Sequence, residues 1–311
     1  MKRDKKNIKP VPCIEWQITD FCNYRCKYCY QKQYDISIPQ DKHASDKTIN
    51  RVLRTLEDLP DRWIIRIIGG EAILHPRFFD ICKKITKSRH VLNLGTNFSL
   101  PKEKLQRLVD ICEDKLDFVT ASLHLSQANV DDFIKKAMWF NSIKHPNTSF
   151  VVVSPIIKDK FSEIKEVKKR LNKEGVMFRY QVLKENGRSI KYPDYMRNEI
   201  SRGLVKSTNK IKDGSFFGKK CHAGHLFFIV KVNGDAFRCY ETQPNSYLGN
   251  IATGTFKRNL IPLPCLSFKC TCRLPYINNI ILFKEKERPL KLAHYLGRNL
   301  IKDKINNTLV F

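Results

Sequence analysis

Apolar positions along the chain follow two alternating periods. Short runs rich in β-branched and aromatic residues alternate with longer segments in which apolar residues recur every three or four positions, which is typical of strands and amphipathic helices. The strand runs are Cys13 to Thr19, Trp63 to Ile68, Val91 to Thr96, Leu116 to Leu123, Ser149 to Ile157 and Val176 to Leu183. The pattern predicts six strand-helix units.

The helical segments begin at residues that favour helix N-termini. Ser45-Asp46 precedes Thr48 to Leu59, Pro101 opens the run to Lys115, Asn129 precedes Val130 to Phe140, and Ser162 precedes Glu163 to Lys173. Parallel strands joined by helices form either an open doubly wound sheet or a full or partial barrel. Both place their chemistry at the carboxyl ends of the strands, so we expect an α/β fold with its site at that edge.

Length and cysteine usage limit the class of protein. A chain of 311 residues exceeds one typical core, which predicts one large domain and one small one. No run reaches the roughly 18 apolar residues of a membrane span. The eleven cysteines follow no apolar signal segment, so we expect reduced thiols and a cytoplasmic protein without a membrane span.

The net charge of +26 favours an anionic partner. However, basic residues alternate with acids, as in Lys165 to Arg170, which is typical of a solvated helix face. The leader Lys2 to Lys9 and the tail Lys284 to Lys304 are the candidates for weak electrostatic binding. Nucleic-acid binding is the less favoured interpretation, since neither segment interleaves aromatic residues as RNA-binding motifs do.

The most specific motif is a C-x3-C-x2-C loop after the first strand, formed by Cys22, Cys26 and Cys29. Three thiolates can bind three irons of a cubane cluster and leave the fourth iron without a protein ligand. A cluster that only carries electrons usually has four cysteines, whereas an open metal position can bind a substrate. Zinc is the alternative, but it requires four ligands, and the next histidine, His43, has no partner nearby in the sequence.

Small, polar and acidic residues follow the next strands. Gly69-Gly70-Glu71 comes after the second strand, Asn97 after the third, and Ser122 and His124 at the end of the fourth. The glycines allow a close backbone approach, and the glutamate offers a carboxylate to a cation. Each feature is weak alone, since glycine pairs are common in turns and Asn97 suits a cap. Together they place small, polar and acidic groups around the carboxyl edge of the predicted sheet, here called the mouth.

These features resemble the radical S-adenosylmethionine (SAM) enzymes. The resemblance rests on the three cysteines, on Tyr28 before the last of them and on Gly69-Gly70-Glu71, and it covers Pro12 to Leu183. It implies a partial (β/α)6 TIM-like barrel, a [4Fe-4S] cluster on Cys22, Cys26 and Cys29, and SAM on the open iron. It also implies that Gly69, Gly70 and Glu71 lie near the methionine amino group, Tyr28 near adenine, and Asn97 and Ser122 near the ribose or carboxylate.

A second cysteine set lies in the C-terminal half, at Cys221, Cys239, Cys265, Cys270 and Cys272. Asn233-Gly234 between two apolar runs predicts a hairpin that brings Cys221 and Cys239 together. The segment resembles the small α+β twitch/SPASM-like domain of radical SAM enzymes, which implies a second, auxiliary [4Fe-4S] cluster. We expect Cys221, Cys239, Cys270 and Cys272 as its ligands, with Cys265 replacing one of them or supplying an exchangeable ligand. A zinc ribbon remains the alternative.

The predicted organisation is a basic leader (1–11), a radical SAM partial barrel (12–200), an auxiliary cluster domain (215–280) and a basic helical tail (281–311). The predicted function is a radical SAM oxidoreductase or maturase that cleaves SAM reductively to a 5′-deoxyadenosyl radical and abstracts a substrate hydrogen. The auxiliary cluster would take part in a net oxidation or peptide modification. The alternative is a basic RNA-binding protein stabilised by zinc or a cluster.

Several partners and residues remain open in this prediction. The resemblance implies an external low-potential electron donor of the flavodoxin or ferredoxin type and a small-molecule or peptide substrate, which the basic composition suggests is anionic. The candidate acids and bases are His124, Tyr180, Tyr240 and Glu241. Cys82 and Cys112 lie on apolar helix faces and Cys13 opens the first strand, where free cysteine behaves as a small hydrophobe.

Overall fold

A computed structural model describes residues 10–29, 43–185, 188–203, 217–240 and 246–267. The six predicted strands are present as Cys13–Thr19 (β1), Ile64–Gly69 (β2), Val91–Thr96 (β3), Leu116–Ser122 (β4), Ser149–Pro155 (β5) and Met177–Gln181 (β6). They pair in parallel and in chain order. The α/β prediction is therefore confirmed, and the strands form a partial barrel of the TIM type.

Helices connect the parallel strands along their outer side. They are Asp46–Glu57 (α1), Phe78–Lys87 (α2), Lys102–Cys112 (α3), Val130–Ile143 (α4), Phe161–Lys173 (α5) and Asp194–Gly203 (α6), with 3-10 turns at Ala72–Leu74, Glu113–Lys115 and Lys158–Lys160. Their apolar sides pack against alternate strand residues such as Ile14, Trp16 and Ile18 in one continuous core. This packing buries the outer face of the sheet.

Two of the predicted helix starts are confirmed by capping bonds. The Ser45 side chain accepts from the Thr48 N–H, and the Asn129 side chain accepts from the Asp132 N–H, which satisfies backbone donors of the first turn. The prediction for Ser162 is wrong because α5 already begins at Phe161. The 3-10 turn Lys158–Lys160 leads directly into this helix, so no side-chain cap precedes it.

The C-terminal segment adds strands to the same sheet. Lys184–Glu185 (β7) and Arg188–Ser189 (β8) form a separate two-stranded ribbon, followed by Lys220–Cys221 (β9), Phe227–Val230 (β10), Asp235–Phe237 (β11), Tyr247–Asn250 (β12) and Leu263–Pro264 (β13). The predicted hairpin is confirmed, since β10 and β11 pair antiparallel. The sequence did not predict that β10 also pairs in parallel with β1, giving the order β12-β11-β10-β1-β2-β3-β4-β5-β6.

This pairing places the two cysteine segments at different edges of the sheet. The first cysteine loop follows β1 and therefore lies at the carboxyl edge. Because β10 runs in the same direction as β1, Cys221 before β10 lies at the amino edge, and Cys239 returns to that edge after the antiparallel β11. The strand between the two edges, β1, has seven residues and is about 23 Å long at about 3.3 Å per residue.

In the described part of the chain, none of the helices combines the length and the apolar composition that crossing a membrane requires.

Candidate functional site

The cysteine loop at the carboxyl edge gathers its three thiols. Cys22 and Cys26 are buried and Cys29 is partly exposed, and the Cys29 N–H donates to the Cys26 carbonyl at 2.9 Å. Burial, with smaller contributions from the nearby thiols of Cys29 and Cys22, raises the pKa of the Cys26 thiol to about 11. The three sulfurs therefore lie close enough to interact as one group of soft ligands.

The glycines after β2 bring that strand end against the start of the cysteine loop. The Gly70 N–H donates to the Thr19 carbonyl at 2.9 Å, and the Glu71 N–H donates to the Phe21 carbonyl at 2.7 Å. A Cβ at Gly69 would lie 2.3 Å from the Thr19 oxygen, and one at Gly70 would lie 2.3 Å from the Phe21 oxygen. The close approach predicted for these glycines is thus made to the chain's own backbone.

Gly70→Ala is therefore expected to destabilise the protein by about 3 kcal/mol, because the new Cβ would collide with backbone atoms of Phe21 and Asp20 and a side-chain rotation cannot relieve the contact. Gly95→Ala on β3 is the matched control, since its Cβ would have no neighbour closer than the Ile68 methyl at 3.8 Å. Anaerobic urea denaturation measures both variants. Equal stability of the two would show that Gly70 does not fix the position of the cysteine loop.

Glu71 is buried beneath the loop and links β2 to β3. Its side chain is 1% exposed and accepts from the Thr96 hydroxyl at 2.8 Å and from the Asn97 N–H. Burial raises the pKa of Glu71 from its ordinary value of 4.5 to about 7, although the hydrogen bonds from Asn97 and Thr96 lower it. Near neutral pH this carboxyl therefore exists in both protonation states.

The raised pKa of Glu71 predicts a pH-dependent loss of stability. The folded protein binds this proton more tightly than the unfolded chain, so protonation of Glu71 stabilises the folded state. This stabilisation is complete below pH 4.5 and is lost as pH rises through about 7. The loss amounts to about 3 kcal/mol. Urea denaturation across this pH range should show the free energy of unfolding of the wild type falling relative to that of Glu71→Gln. If the two free energies changed with pH in parallel, the prediction would be wrong.

Asn97 connects the end of β3 to the cysteine loop. Its side-chain amide donates to the Asn23 side-chain oxygen at 2.9 Å and lies 3.8 Å from the Cys22 sulfur. The Asn23 amide in turn donates to the Ser99 hydroxyl at 3.0 Å. The sequence resemblance assigned Asn97 to a contact with SAM. Asn23 was missed, because its partner Ser99 lies 76 positions away in the sequence. These contacts orient the loop from the β3 side.

Residues that follow β4 contact the cysteine loop from the other side. The Tyr28 hydroxyl lies 3.1 Å from Nδ1 of His124, and the two rings stack with centroids 5.7 Å apart. Burial lowers the pKa of His124 to about 4, so its ring is neutral near pH 7. Gln127, also missed from the sequence, accepts from the Arg25 N–H at 3.2 Å. Ser122, two residues before His124, is half-buried at the end of β4.

The other candidate acids and bases lie elsewhere. Tyr180 is 5% exposed within the helix-packed core, and its hydroxyl donates to Glu199 on α6 at 3.1 Å. Tyr240 contacts Lys231 through its ring face, with 5.6 Å from Nζ to the centroid. Glu241 lies outside the described residues. His124 contacts the cysteine loop through Tyr28.

The second cysteine group lies at the amino edge and includes Cys265. Residue Leu263 of β13 pairs with Cys221 of β9, and the Cys265 N–H donates to the Lys219 carbonyl at 2.8 Å. Burial raises the pKa of Cys221 to about 12, with further contributions from the nearby thiols of Cys265 and Cys239. The structure thus brings Cys221, Cys239 and Cys265 together, while Cys270 and Cys272 lie outside the described residues.

The three thiols of the loop at the carboxyl edge are the kind of donor that binds the irons of a cluster. Among the residues that the structure describes, no three histidine, cysteine, aspartate or glutamate side chains converge on a position for a single metal ion. A cubane does not require that convergence, because each thiolate binds a different iron. Three thiols around a loop, two of them buried, therefore fit the [4Fe-4S] cluster that the sequence resemblance implies at the carboxyl edge.

The segment that contains this site is similar to known proteins. Residues 16–145 match the model of the Radical SAM superfamily. A GTP 3′,8-cyclase from Clostridium perfringens is 25% identical over 218 residues, which cover 66% of each chain. The chain spans 21% to 66% of the length of the first curated relatives that it matches.

Two solved structures share the fold. The structure of anSMEcpe with bound AdoMet superposes with a TM-score of 0.55 at 16% identity and covers 79% of this chain and 76% of that one. Streptococcus suis SuiB bound to its precursor peptide SuiA also gives a TM-score of 0.55 at 16% identity, covering 82% of this chain and 66% of that one. The matched segment contains Cys22, Cys26 and Cys29, and the partial barrel has the same fold as both proteins. Residues 16–145 thus match the Radical SAM superfamily, and the partial barrel that they form has the fold of these two solved structures.

Proposed function

We propose that this radical SAM enzyme uses two [4Fe-4S] clusters, one for SAM cleavage and one auxiliary, in a net oxidation of a small molecule or the modification of a peptide. The observation that carries the proposal is the placement of two thiol groups at opposite edges of one strand, β1. Cys22, Cys26 and Cys29 follow its carboxyl end, and Cys221, Cys239 and Cys265 surround its amino end. The inner face of the barrel lies between them.

At the carboxyl edge, Cys22, Cys26 and Cys29 would hold the first cluster and leave one iron for SAM. When bound, this cluster supplies the electron that cleaves SAM to methionine and a 5′-deoxyadenosyl radical. The site residues Tyr28, Gly69, Gly70, Glu71, Asn97 and Ser122 are proposed to position SAM. Two of them already position the loop itself, since Glu71 binds the Asn97 backbone and Asn97 reaches Cys22.

At the amino edge, Cys221, Cys239 and Cys265 would hold the auxiliary cluster, with the fourth ligand from Cys270 or Cys272. The proximity of Cys265 to Cys221 supports it as a ligand, which alters the predicted set of Cys221, Cys239, Cys270 and Cys272. A hydrogen abstraction leaves one unpaired electron on the substrate. An auxiliary cluster on the far side of the inner face would accept that electron and complete a two-electron oxidation.

The comparisons support both substrate classes. The similarity to a GTP 3′,8-cyclase over 66% of the chain supports a small, anionic substrate, and the fold shared with SuiB in its complex with SuiA supports a peptide. The reducing electron would come from an external flavodoxin-type or ferredoxin-type donor, in a cytoplasmic setting that keeps the thiols reduced.

One anaerobic experiment tests the proposal against the zinc alternative. Iron, sulfide and zinc are measured per chain, and SAM with a strong reductant is then added while 5′-deoxyadenosine is followed. We expect about eight irons per chain, as two cubanes require, and formation of 5′-deoxyadenosine. About four irons with product would remove the auxiliary cluster from the proposal. Zinc without product, together with salt-dependent RNA binding, would replace it with the RNA-binding alternative.

A further inference from the structure

The inner face of the partial barrel, here called the lumen, is defined by the alternation of side chains along each strand. On β1, Ile14, Trp16 and Ile18 pack into the core beneath the helices, so Cys13, Glu15 and Gln17 face the lumen. The pairing registers extend this assignment to the neighbouring strands. Glu15 lies beside Arg66 of β2 and Ile229 of β10, and Arg66 lies beside Asn93 of β3.

The lumen has an apolar floor at the amino edge and a polar, more accessible upper part. The floor residues are paired neighbours and are each at most 5% exposed: Cys13, Ile64, Val91 and Phe227. One layer higher, the Arg66 side chain is 28% exposed. Towards the mouth, Ile68, Gly95, Thr120 and Ser122 are all partly exposed. A ligand entering from the mouth would therefore reach Arg66 but not the floor.

Two cations from the strands on either side of β1 face this upper part. Arg66 on β2 forms an ion pair with Glu15 at 3.0 Å, and Glu15 is 3% exposed. Lys231, directly after β10, donates from Nζ to the Gln17 side-chain oxygen at 3.3 Å and lies over the Tyr240 ring. Buried Glu15 and Gln17 thus hold the two cationic groups in fixed directions above the floor.

Arg66 and Lys231 are both partly exposed in this layer. On the parallel strands that the structure describes, the lumen face carries the partly exposed cations Arg66 and Arg179, to which Lys231 adds a third. The neighbouring acids are buried Glu15, Asp117 of β4 against the Asn93 side-chain amide, and Asp20, which receives a hydrogen bond from Gln17 at the rim. Burial lowers the pKa of Lys231 even though Asp20 and Glu15 raise it. Removing an ammonium group from water is costly unless an anion compensates for the lost hydration.

We infer that Arg66 and Lys231 bind an oxyanion of the substrate, either a carboxylate or a phosphate group, in the upper lumen between the two thiol groups. That the bound oxyanion belongs to the enzyme's substrate rests on the proposed function. Arginine supplies a planar fork of donors and lysine a compact charge, a combination suited to carboxylate and phosphate oxygens. The anchored group would leave the rest of the substrate to extend towards the mouth, where Cys22, Cys26 and Cys29 lie.

Calorimetric titration of the reconstituted, full-length enzyme tests this site with two probes, inorganic pyrophosphate and glutarate. Lys231→Gln retains a donor for Gln17 and is expected to weaken anion binding at least about tenfold, because a hydrogen bond to a charged group is lost. Glu15→Gln removes the internal competitor for Arg66 and should tighten binding. Lys169→Gln on the exposed face of α5 is the charge-matched control and should leave binding unchanged.

Each outcome decides the inference. Tighter binding of pyrophosphate identifies phosphate as the recognised group, and tighter binding of glutarate identifies carboxylate. Equal affinity of wild type and Lys231→Gln, or no binding of either probe at millimolar concentration, would overturn the site. Because Arg66→Gln would leave Glu15 buried without its partner, the double variant Glu15→Gln/Arg66→Gln tests the arginine. Formation of 5′-deoxyadenosine is assayed separately, so failure of the proposed function is distinguished from failure of the anion site.

Discussion

Cys26→Ala is expected to abolish 5′-deoxyadenosine formation and to remove about four irons per chain, the content of one cubane. Cys26 is the middle cysteine of the loop and is 5% exposed, and its thiol interacts with both Cys22 and Cys29. Water cannot easily replace a buried thiolate at this position. The measurements are iron and sulfide content, the visible absorption of the cluster, and 5′-deoxyadenosine after anaerobic addition of SAM and reductant.

Cys112→Ala is the control for this loss. Cys112 ends α3 and is 1% exposed within the helix-packed core, where it acts as a small apolar residue. Its replacement should leave iron content and SAM cleavage unchanged while lowering stability modestly. If Cys26→Ala kept its full iron content and formed 5′-deoxyadenosine, the assignment of the three-cysteine loop as the SAM-cleaving centre would be wrong.

The six parallel strands were predictable because each carries its own local signal. β1 and β3 have the predicted bounds, and the other four differ from the prediction by one or two residues at one or both ends. In β1 the apolar residues Ile14, Trp16 and Ile18 alternate with Glu15, Gln17 and Thr19, which is the period of a strand, and all seven residues of β1 are buried. The pairing of β10 with β1 was not predicted. The Phe227–Val230 run is apolar on both faces, and this was the signal for a central strand.

The candidate site was predictable in its residues and not in its contacts. Parallel strands gather their carboxyl ends at one edge, so the cysteine loop, Glu71 and Asn97 were expected to meet there. The bonds that hold the loop join residues far apart in sequence, such as Tyr28 with His124 and Arg25 with Gln127. The hydrophobic periodicity of the sequence carries no information about such contacts. Cys265 reaches Cys221 through a pair of two-residue strands, which are too short to give a pattern.

The structure also changes how the two thiol groups are related. The sequence left open on which edge of the sheet the auxiliary cysteines lie. The parallel pairing of β10 with β1 places Cys221 and Cys239 at the edge opposite the first cysteine loop. A substrate in the lumen would then lie between the two groups, so an electron would leave the substrate in the direction away from the site of hydrogen abstraction.

Cys265→Ala is expected to lower the iron content from about eight to about four per chain while 5′-deoxyadenosine formation persists. The reason is the separation of the two groups by the length of β1, which leaves the loop of Cys22, Cys26 and Cys29 intact. SAM cleavage should then proceed without substrate oxidation, since the auxiliary group no longer accepts an electron. Iron content, low-temperature electron paramagnetic resonance of the reduced protein and 5′-deoxyadenosine yield measure the effect.

The set Cys239→Ala, Cys265→Ala, Cys270→Ala and Cys272→Ala assigns the ligands of the auxiliary cluster. Cys239→Ala should behave as Cys265→Ala does, because both thiols lie beside the buried Cys221. One of Cys270→Ala and Cys272→Ala should match them, and the other should retain about eight irons, since a cubane takes four cysteines. Loss of the auxiliary irons in both Cys270→Ala and Cys272→Ala, with their retention in Cys265→Ala, would restore the ligand set expected from the sequence. It would leave Cys265 as a neighbour of the cluster and not a ligand.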